Sequence, residues 1–338
     1  MRAVTLAFAS VFAATAPVAA DYMVKEVGSF HVGGRTETLS GLPVKEATFS
    51  AGMPPIKVDP NGEFEVEQMY VQYVKLAQPK GKVPLLLWHG GGLSGVTWET
   101  KPDGKPGWQQ FFLNAGYDVY VSDAVERGRA SWARYPEIFK SEPVFRTKKE
   151  AWELFRVGPT YEVGGKREAF EGQQFPIEAL DAFMKQGVPR WLTNDAATQK
   201  AYDALVQKVC PCIIVVHSQG GNFGFNAALN APDKVKGLIA VEPSGAPDLA
   251  KADAAKVKSV PLLYVWGDQF DKHPVWQKVR VNPEKWGEAI KAAGGTVDTF
   301  DLPKMGINGN THMLMMDRNS DEVAKLVNDW IGKQGLVN

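Results

Sequence analysis

Ser218 is the residue on which the chain's chemistry can turn. It follows Cys212-Ile213-Ile214-Val215-Val216-His217 and precedes Gln219-Gly220-Gly221. The apolar, mostly β-branched run suits a strand buried on both faces of a parallel sheet. The run stops abruptly at the serine, and residues 222–229 can form a helix. A serine between buried strand and helix, followed by glycine, fits a nucleophile elbow, a strained turn that lifts the hydroxyl above a sheet edge. The usual Gly-x-Ser-x-Gly pattern is broken at its first position, where Val216 stands.

A serine hydroxyl is a weak nucleophile at neutral pH and needs a base, an orienting acid and donors for a developing oxyanion. The chain has five histidines: His31, His89, His217, His273 and His312. His217 adjoins the serine but is expected to point to the opposite side of the strand end. His89 precedes the serine, against the chain order serine, acid, histidine that accompanies an elbow of this kind. His312 lies after the last expected strand and before the final helix, and is expected to be the base. Two carboxylates end strands beyond the elbow: Glu242 in Val241-Glu242-Pro243 and Asp268 in Trp266-Gly267-Asp268. Spacing leaves both open as the acid, with Asp268 favoured by its place on the penultimate strand. His89-Gly90-Gly91-Gly92 follows a core strand, and consecutive glycines let backbone amides turn toward a ligand. The expected oxyanion donors are therefore the N–H groups of Gln219 and of Gly91 or Gly92. A phosphate loop is disfavoured because no lysine with serine or threonine follows these glycines at the required spacing.

The elements that must position these groups alternate as strand and helix. Strands are expected at 83–88, 118–123, 212–217, 235–243, 260–268 and 296–303, and helices at 108–113, 195–209 and about 320–331. That rhythm implies right-handed crossovers and a doubly wound, mostly parallel sheet of the α/β class. Ahead of it, residues 30–32 read as a short strand closed by Gly33-Gly34, and residues 41–62 as loop. Residues 64–74 alternate with a one-residue slip near Gln68, which reads as a half-exposed antiparallel strand carrying a bulge. Residues 130–195 break the rhythm with aromatics, charge, proline and glycine, as expected of a cap inserted over an active site.

The bulk numbers agree with one large domain over residues 21–338. The 338-residue chain is 44% hydrophobic, and its 38 basic residues balance 38 acidic ones, so nothing argues for a nucleic-acid partner. Residues 1–20 begin with Arg2, continue through an alanine-rich apolar stretch and end in Val18-Ala19-Ala20. They read as a signal peptide cleaved after Ala20, with export to the periplasm or the medium and no membrane association afterwards. The only two cysteines, Cys210 and Cys212, flank Pro211. A bridge across one residue closes a strained ring, so two buried thiols are favoured over a local disulfide. No His/Cys/Asp cluster has metal-ligand spacing, and no metal or organic cofactor is expected.

Several of these segments together resemble a known family. His89-Gly90-Gly91-Gly92-Leu93 with Thr97-Trp98-Glu99, Gly128-Arg129, His217-Ser218-Gln219, Val241-Glu242-Pro243 and Gly309-Asn310-Thr311-His312-Met313 are similar to α/β-hydrolase serine esterases. The narrower likeness is to exported bacterial esterases with a Ser-Glu-His triad. That resemblance implies Ser218 as nucleophile, His312 as base and Glu242, rather than Asp268, as the acid. It implies hydrolysis of small-molecule carboxylic esters through an acyl-enzyme. An amidase or peptidase could use the same groups. A non-catalytic binding module would ordinarily lack one of them.

Overall fold

The computed structural model describes residues 22–338 except residue 133. The leader and its cleavage point lie outside the described residues. Strands β1 (Val24–Leu39), β4 (Gly62–Leu76), β5 (Leu85–Trp88), β6 (Val119–Asp123), β9 (Cys212–His217), β10 (Val235–Val241), β11 (Leu262–Trp266) and β12 (Val297–Asp301) form one eight-stranded sheet. Its order is β1-β4-β6-β5-β9-β10-β11-β12. From β6 to β12 all neighbours run parallel, while β4 is antiparallel to both β1 and β6. This is the α/β-hydrolase fold, with β9 near the middle of the parallel part.

Burial explains the order. Every residue of β5, β6, β9 and β11 is buried, and successive side chains serve opposite faces. Ile213 and Val215 join one apolar cluster, and Cys212, Ile214 and Val216 the other. Helices α2 (Trp108–Ala115) and α8 (Ser320–Lys333) cover the first face through Trp108, Phe112, Val323, Val327 and Trp330. Helices α5 (Asp195–Val209), α6 (Gly220–Asn230) and α7 (Pro274–Ala292) cover the second through Tyr202, Leu205, Phe225, Trp286 and Ile290. A short helix, α1 (Val96–Glu99), follows the glycine loop.

The N-terminal part departs from the expectations. Instead of a short strand closed at Gly33-Gly34, β1 runs through both glycines and pairs with β4 along its length. No bulge is inserted near Gln68, since the pairing stays in register from Glu26↔Lys75 to Leu39↔Gly62. The apolar face changes side instead through Glu67, which adopts φ 64° opposite Gly33 and Gly34 at φ 73° and 90°. Residues 41–62 are not all loop: β2 (Lys45–Ala47) and β3 (Ile56–Val58) form a small antiparallel pair.

Between β6 and α5 lies the insertion, with α3 (Lys148–Leu154), the strand pair β7 (Thr160–Tyr161) and β8 (Arg167–Glu168), and α4 (Leu180–Met184). Helix α3 starts at a capping box, Thr147 with Glu150, which satisfies two otherwise free N–H groups. Trp152, Phe155, Phe175 and Phe183 continue the first apolar cluster. Cys210 and Cys212 are joined as a disulfide between α5 and β9, so the preference for two thiols was wrong.

Candidate active site

The elbow is built by close packing. Ser218 adopts φ 51°, a left-handed conformation that costs a non-glycine residue about 1–3 kcal/mol. Its N–H donates to Val241 O at 3.1 Å, and its carbonyl accepts from Gly221 and Ser244 N–H at 2.9 and 3.0 Å. A methyl group on Gly220 would lie 2.8 Å from His89 O, and one on Gly221 2.6 Å from Pro243 Cβ. Only glycine lets α6 start this near its neighbours. A methyl on Gly224 would lie 2.7 Å from Val216 Cγ1. Helix α6 is therefore slim where Val216 projects, which accounts for a valine in place of the pattern's first glycine.

Two other strand ends meet this turn. Glu242 follows β10 with φ 44° and is fully buried. Its Oε2 lies 2.6 Å from His312 Nδ1, and its Oε1 accepts the Gly267 N–H at 2.8 Å. His312 is also buried. Its ring lies 4.1 Å from Trp276, 4.5 Å from His217 and 5.6 Å from Phe155, and its N–H donates to Phe155 O. No Ser218–His312 hydrogen bond is formed. Free enzymes of this kind commonly close that contact only around substrate.

Asp268 forms no hydrogen bond with His312. Its Oδ2 accepts the Gly309 N–H at 2.8 Å and its Oδ1 the Gln269 N–H at 2.6 Å, while its own N–H donates to Asn310 O. It ties down the loop that carries His312. Asp317 does the same from the other side, accepting from Thr311 N–H, Thr311 hydroxyl and the Asn310 amide. Burial pushes its carboxyl up to about 7 against those bonds. No sequence pattern distinguished Asp317.

The remaining histidines sit in other surroundings. His217 lies beside His312, with ring centroids 4.5 Å apart. Its Nε2–H donates to His312 O at 2.9 Å. Burial, and then the charge of a protonated His312, drive its pKa well below the ordinary value. His89 donates from Nδ1 to Gly90 O and accepts the Ala124 N–H at Nε2. Burial and then Arg127 lower its pKa to about 4. His31 packs on Tyr70 in the β1–β4 hairpin, and His273 stands at the N-cap position of α7 without a side-chain cap bond.

The glycine loop is pinned from β6. Asp123 accepts from the Gly95 N–H and from Arg129 N–H and Nε. A methyl on Gly128 (φ 48°) would sit 2.6 Å from Asp123 Oδ2, so the Gly128-Arg129 pair serves this clamp. Of these glycines Gly90 lies closest to Ser218: a methyl there would be 3.0 Å from Ser218 Cβ. One on Gly91 would be 3.0 Å from Gln219 Oε1, whereas Gly92 faces Val188 O at 3.8 Å. Beside the loop a cavity of about 130 Å³ is lined by Gly91, Leu93, Phe155, Phe183, Met184 and Val188.

Arg156 was missed altogether. It sits just past α3 with φ 58°, its side chain fully buried. Its Nη2 bonds Glu242 Oε1 at 2.5 Å and its Nε bonds Asp268 O at 2.8 Å. The guanidinium lies 4.2 Å from the Phe270 ring. Burial would raise the Glu242 carboxyl, but Arg156 and His312 together hold it at about 2. Burial lowers the His312 pKa, Glu242 opposes that, and Arg156 lowers it further.

A solved bacterial esterase matches this chain with a TM-score of 0.81 and 33% identity, over 95% of this chain and 99% of the other. The chain belongs to the α/β-hydrolase esterases. A protein described as a probable secreted lipase, from a fungus (Fungal sp. strain ATCC 74256), is 27% identical over 332 residues, covering 81% of this chain and 88% of the relative. No family model matches the chain. Among the described residues, no helix of this esterase is long and apolar enough to cross a membrane.

The electrostatics around the Glu242–His312 pair give a change at Arg156 two expected readouts. Arg156→Met removes a positive charge that disfavours protonated His312, so the acid limb of kcat/KM should move to higher pH. In the unaltered protein that limb should fall below 6.5, since the His312 pKa is lowered from that value. Leaving Glu242 without its buried partner should also cost about 3–5 kcal/mol of stability. A pH–rate profile on a neutral ester and urea unfolding test both effects. A limb that stays put, or moves to lower pH, counts against the coupling.

Proposed function

We propose that this esterase cleaves carboxylic esters through an acyl-enzyme on Ser218, with His312 as base and Glu242 as orienting acid. The observation that carries the reading is the buried Glu242–His312 bond of 2.6 Å beside the left-handed Ser218 turn. Ionised Glu242 accepts from Nδ1–H, so the imidazole keeps its lone pair on Nε2 for the serine proton. Ser218 Oγ attacks the acyl carbon while His312 Nε2 takes the hydroxyl proton. The N–H groups of Gln219 and Gly91 hold the oxyanion, with Gly92 the alternative to Gly91. The closeness of Gly91 to Gln219 supports the choice. Collapse of the tetrahedral species expels the alcohol, which takes the proton from His312. Water then repeats the sequence on the acyl group and returns Ser218.

The mostly apolar cavity beside Gly91 and Phe155 suits a compact apolar substituent of a small ester. Residues 130–195 act as the cap, since Phe155, Arg156 and Val188 reach the histidine, the acid and the glycine loop. Export, to the periplasm or the medium, is supported by the leader-like residues 1–20 and by the secreted relative. Reaction with an organophosphate, followed by peptide mapping, tests the mechanism. Stoichiometric phosphylation on the peptide bearing Ser218, with loss of p-nitrophenyl ester turnover, is the expected result. Modification elsewhere, or turnover that survives complete labelling, overturns it.

A further inference from the structure

The Gln219 side chain, one residue from the nucleophile, lies among positive charges that the ester reaction leaves unused. Arg127, from the loop after β6, is 4% exposed, and its Nη2 reaches Gln219 Oε1 at 3.5 Å. Arg190, from the end of the insertion, brings Nη1 within 3.0 Å of the point that a methyl on Gly91 would occupy, as does Gln219 Oε1. Arg127 Nε and Nη1 and Arg190 Nε are all buried without a hydrogen-bond partner. Burial, and then the like charge of Arg190, lower the Arg127 pKa to about 10. Asp195 acts on both guanidinium groups from a distance, while one of its carboxylate oxygens accepts the Gln219 amide at 3.1 Å. A buried and a half-buried cation with donor nitrogens unmet are costly unless an anion joins them. A carboxylate suits them because a guanidinium fork bonds both its oxygens.

We propose that Arg127 and Arg190 form an anion subsite beside the oxyanion loop, which takes the free carboxylate of an ester substrate. The inference rests on the ester-hydrolase reading and narrows its substrate class to carboxylate-bearing esters. Arg127 comes from the loop after β6 and Arg190 from the insertion, so such a substrate would be gripped where the two meet.

Matched ester pairs, followed by pH-stat titration, test it. Monoethyl succinate against ethyl butyrate places the carboxylate on the acyl side. 3-Acetoxypropanoate against propyl acetate places it on the alcohol side. At least one anionic ester should exceed its neutral partner about tenfold or more in kcat/KM, mainly through KM. That ratio should fall at least tenfold in Arg127→Gln and in Arg190→Gln. Should the buried Arg127 variant fail to fold, the half-buried Arg190 variant carries the comparison. Neutral esters turned over with no anionic preference in either pair would overturn the subsite and leave the esterase reading standing. A ratio unchanged in the Arg190 variant overturns it equally. Failure of every ester would instead strike the function itself.

Discussion

Ser218→Ala should lower kcat on p-nitrophenyl esters by about five to six orders of magnitude. Residual rate would come from the oxyanion donors and substrate binding alone. The substitution removes one oxygen and keeps the Cβ, so the left-handed turn and its bonds to Val241, Gly221 and Ser244 should persist. The melting temperature should therefore stay close to that of the unaltered protein. The scale of the loss follows from the proposed chemistry: without the hydroxyl no acyl-enzyme can form, and His312 has no hydroxyl proton to take. Stopped-time assays with purified protein, together with circular dichroism, separate lost chemistry from lost fold. Turnover within tenfold of the unaltered enzyme would remove Ser218 from the mechanism.

The second large effect distinguishes two carboxylates. Glu242→Gln should lower kcat by about 10⁴-fold, and Asp268→Asn should stay within about tenfold. A glutamine at 242 can turn its amide toward His312 Nδ1, which favours the proton on Nε2, where a general base must be bare. It also leaves Arg156 facing a neutral group in a buried site, so stability should fall as well. An asparagine at 268 keeps a carbonyl oxygen able to accept from Gly309 or Gln269 N–H. Its effect should come through slackening of the His312 loop, visible in KM and thermal stability. The reverse ranking would transfer the acid role to Asp268.

These two residues also mark where local patterns stop being informative. Buried strands announced themselves through unbroken apolar runs, and α5 begins and ends at the expected residues, 195 and 209. The β1–β4 hairpin was legible only in part, because paired glycines usually close a turn. Gly33 and Gly34 instead occupy left-handed positions within a continuous strand, where Glu67 of the partner strand matches them. The Cys210–Cys212 bridge is not legible locally, because it depends on the backbone that brings the two Cα atoms to 4.4 Å. Arg156 and Asp317 gave no signal: an arginine in a mixed-charge insertion and an aspartate after a methionine run look like surface residues.

The amino-acid sequence by itself determined the local pieces: the strand–serine–helix turn, the glycines beside it, the late histidine and the alternation that yields a parallel sheet. Those follow from side-chain size, β-branching and periodicity over a few residues. Only the tertiary structure decided which carboxylate meets His312. Glu242 and Asp268 both follow adjacent parallel strands, paired at Val241↔Val265, so neither periodicity nor chain order separates them. The contact depends on how the loop at 306–313 folds back over β10, held by Asp268 and Asp317. It depends too on Arg156, which arrives from 86 residues before the acid it binds. Long-range packing and the need to compensate buried charge make those choices, and neither is written in any short stretch of the chain.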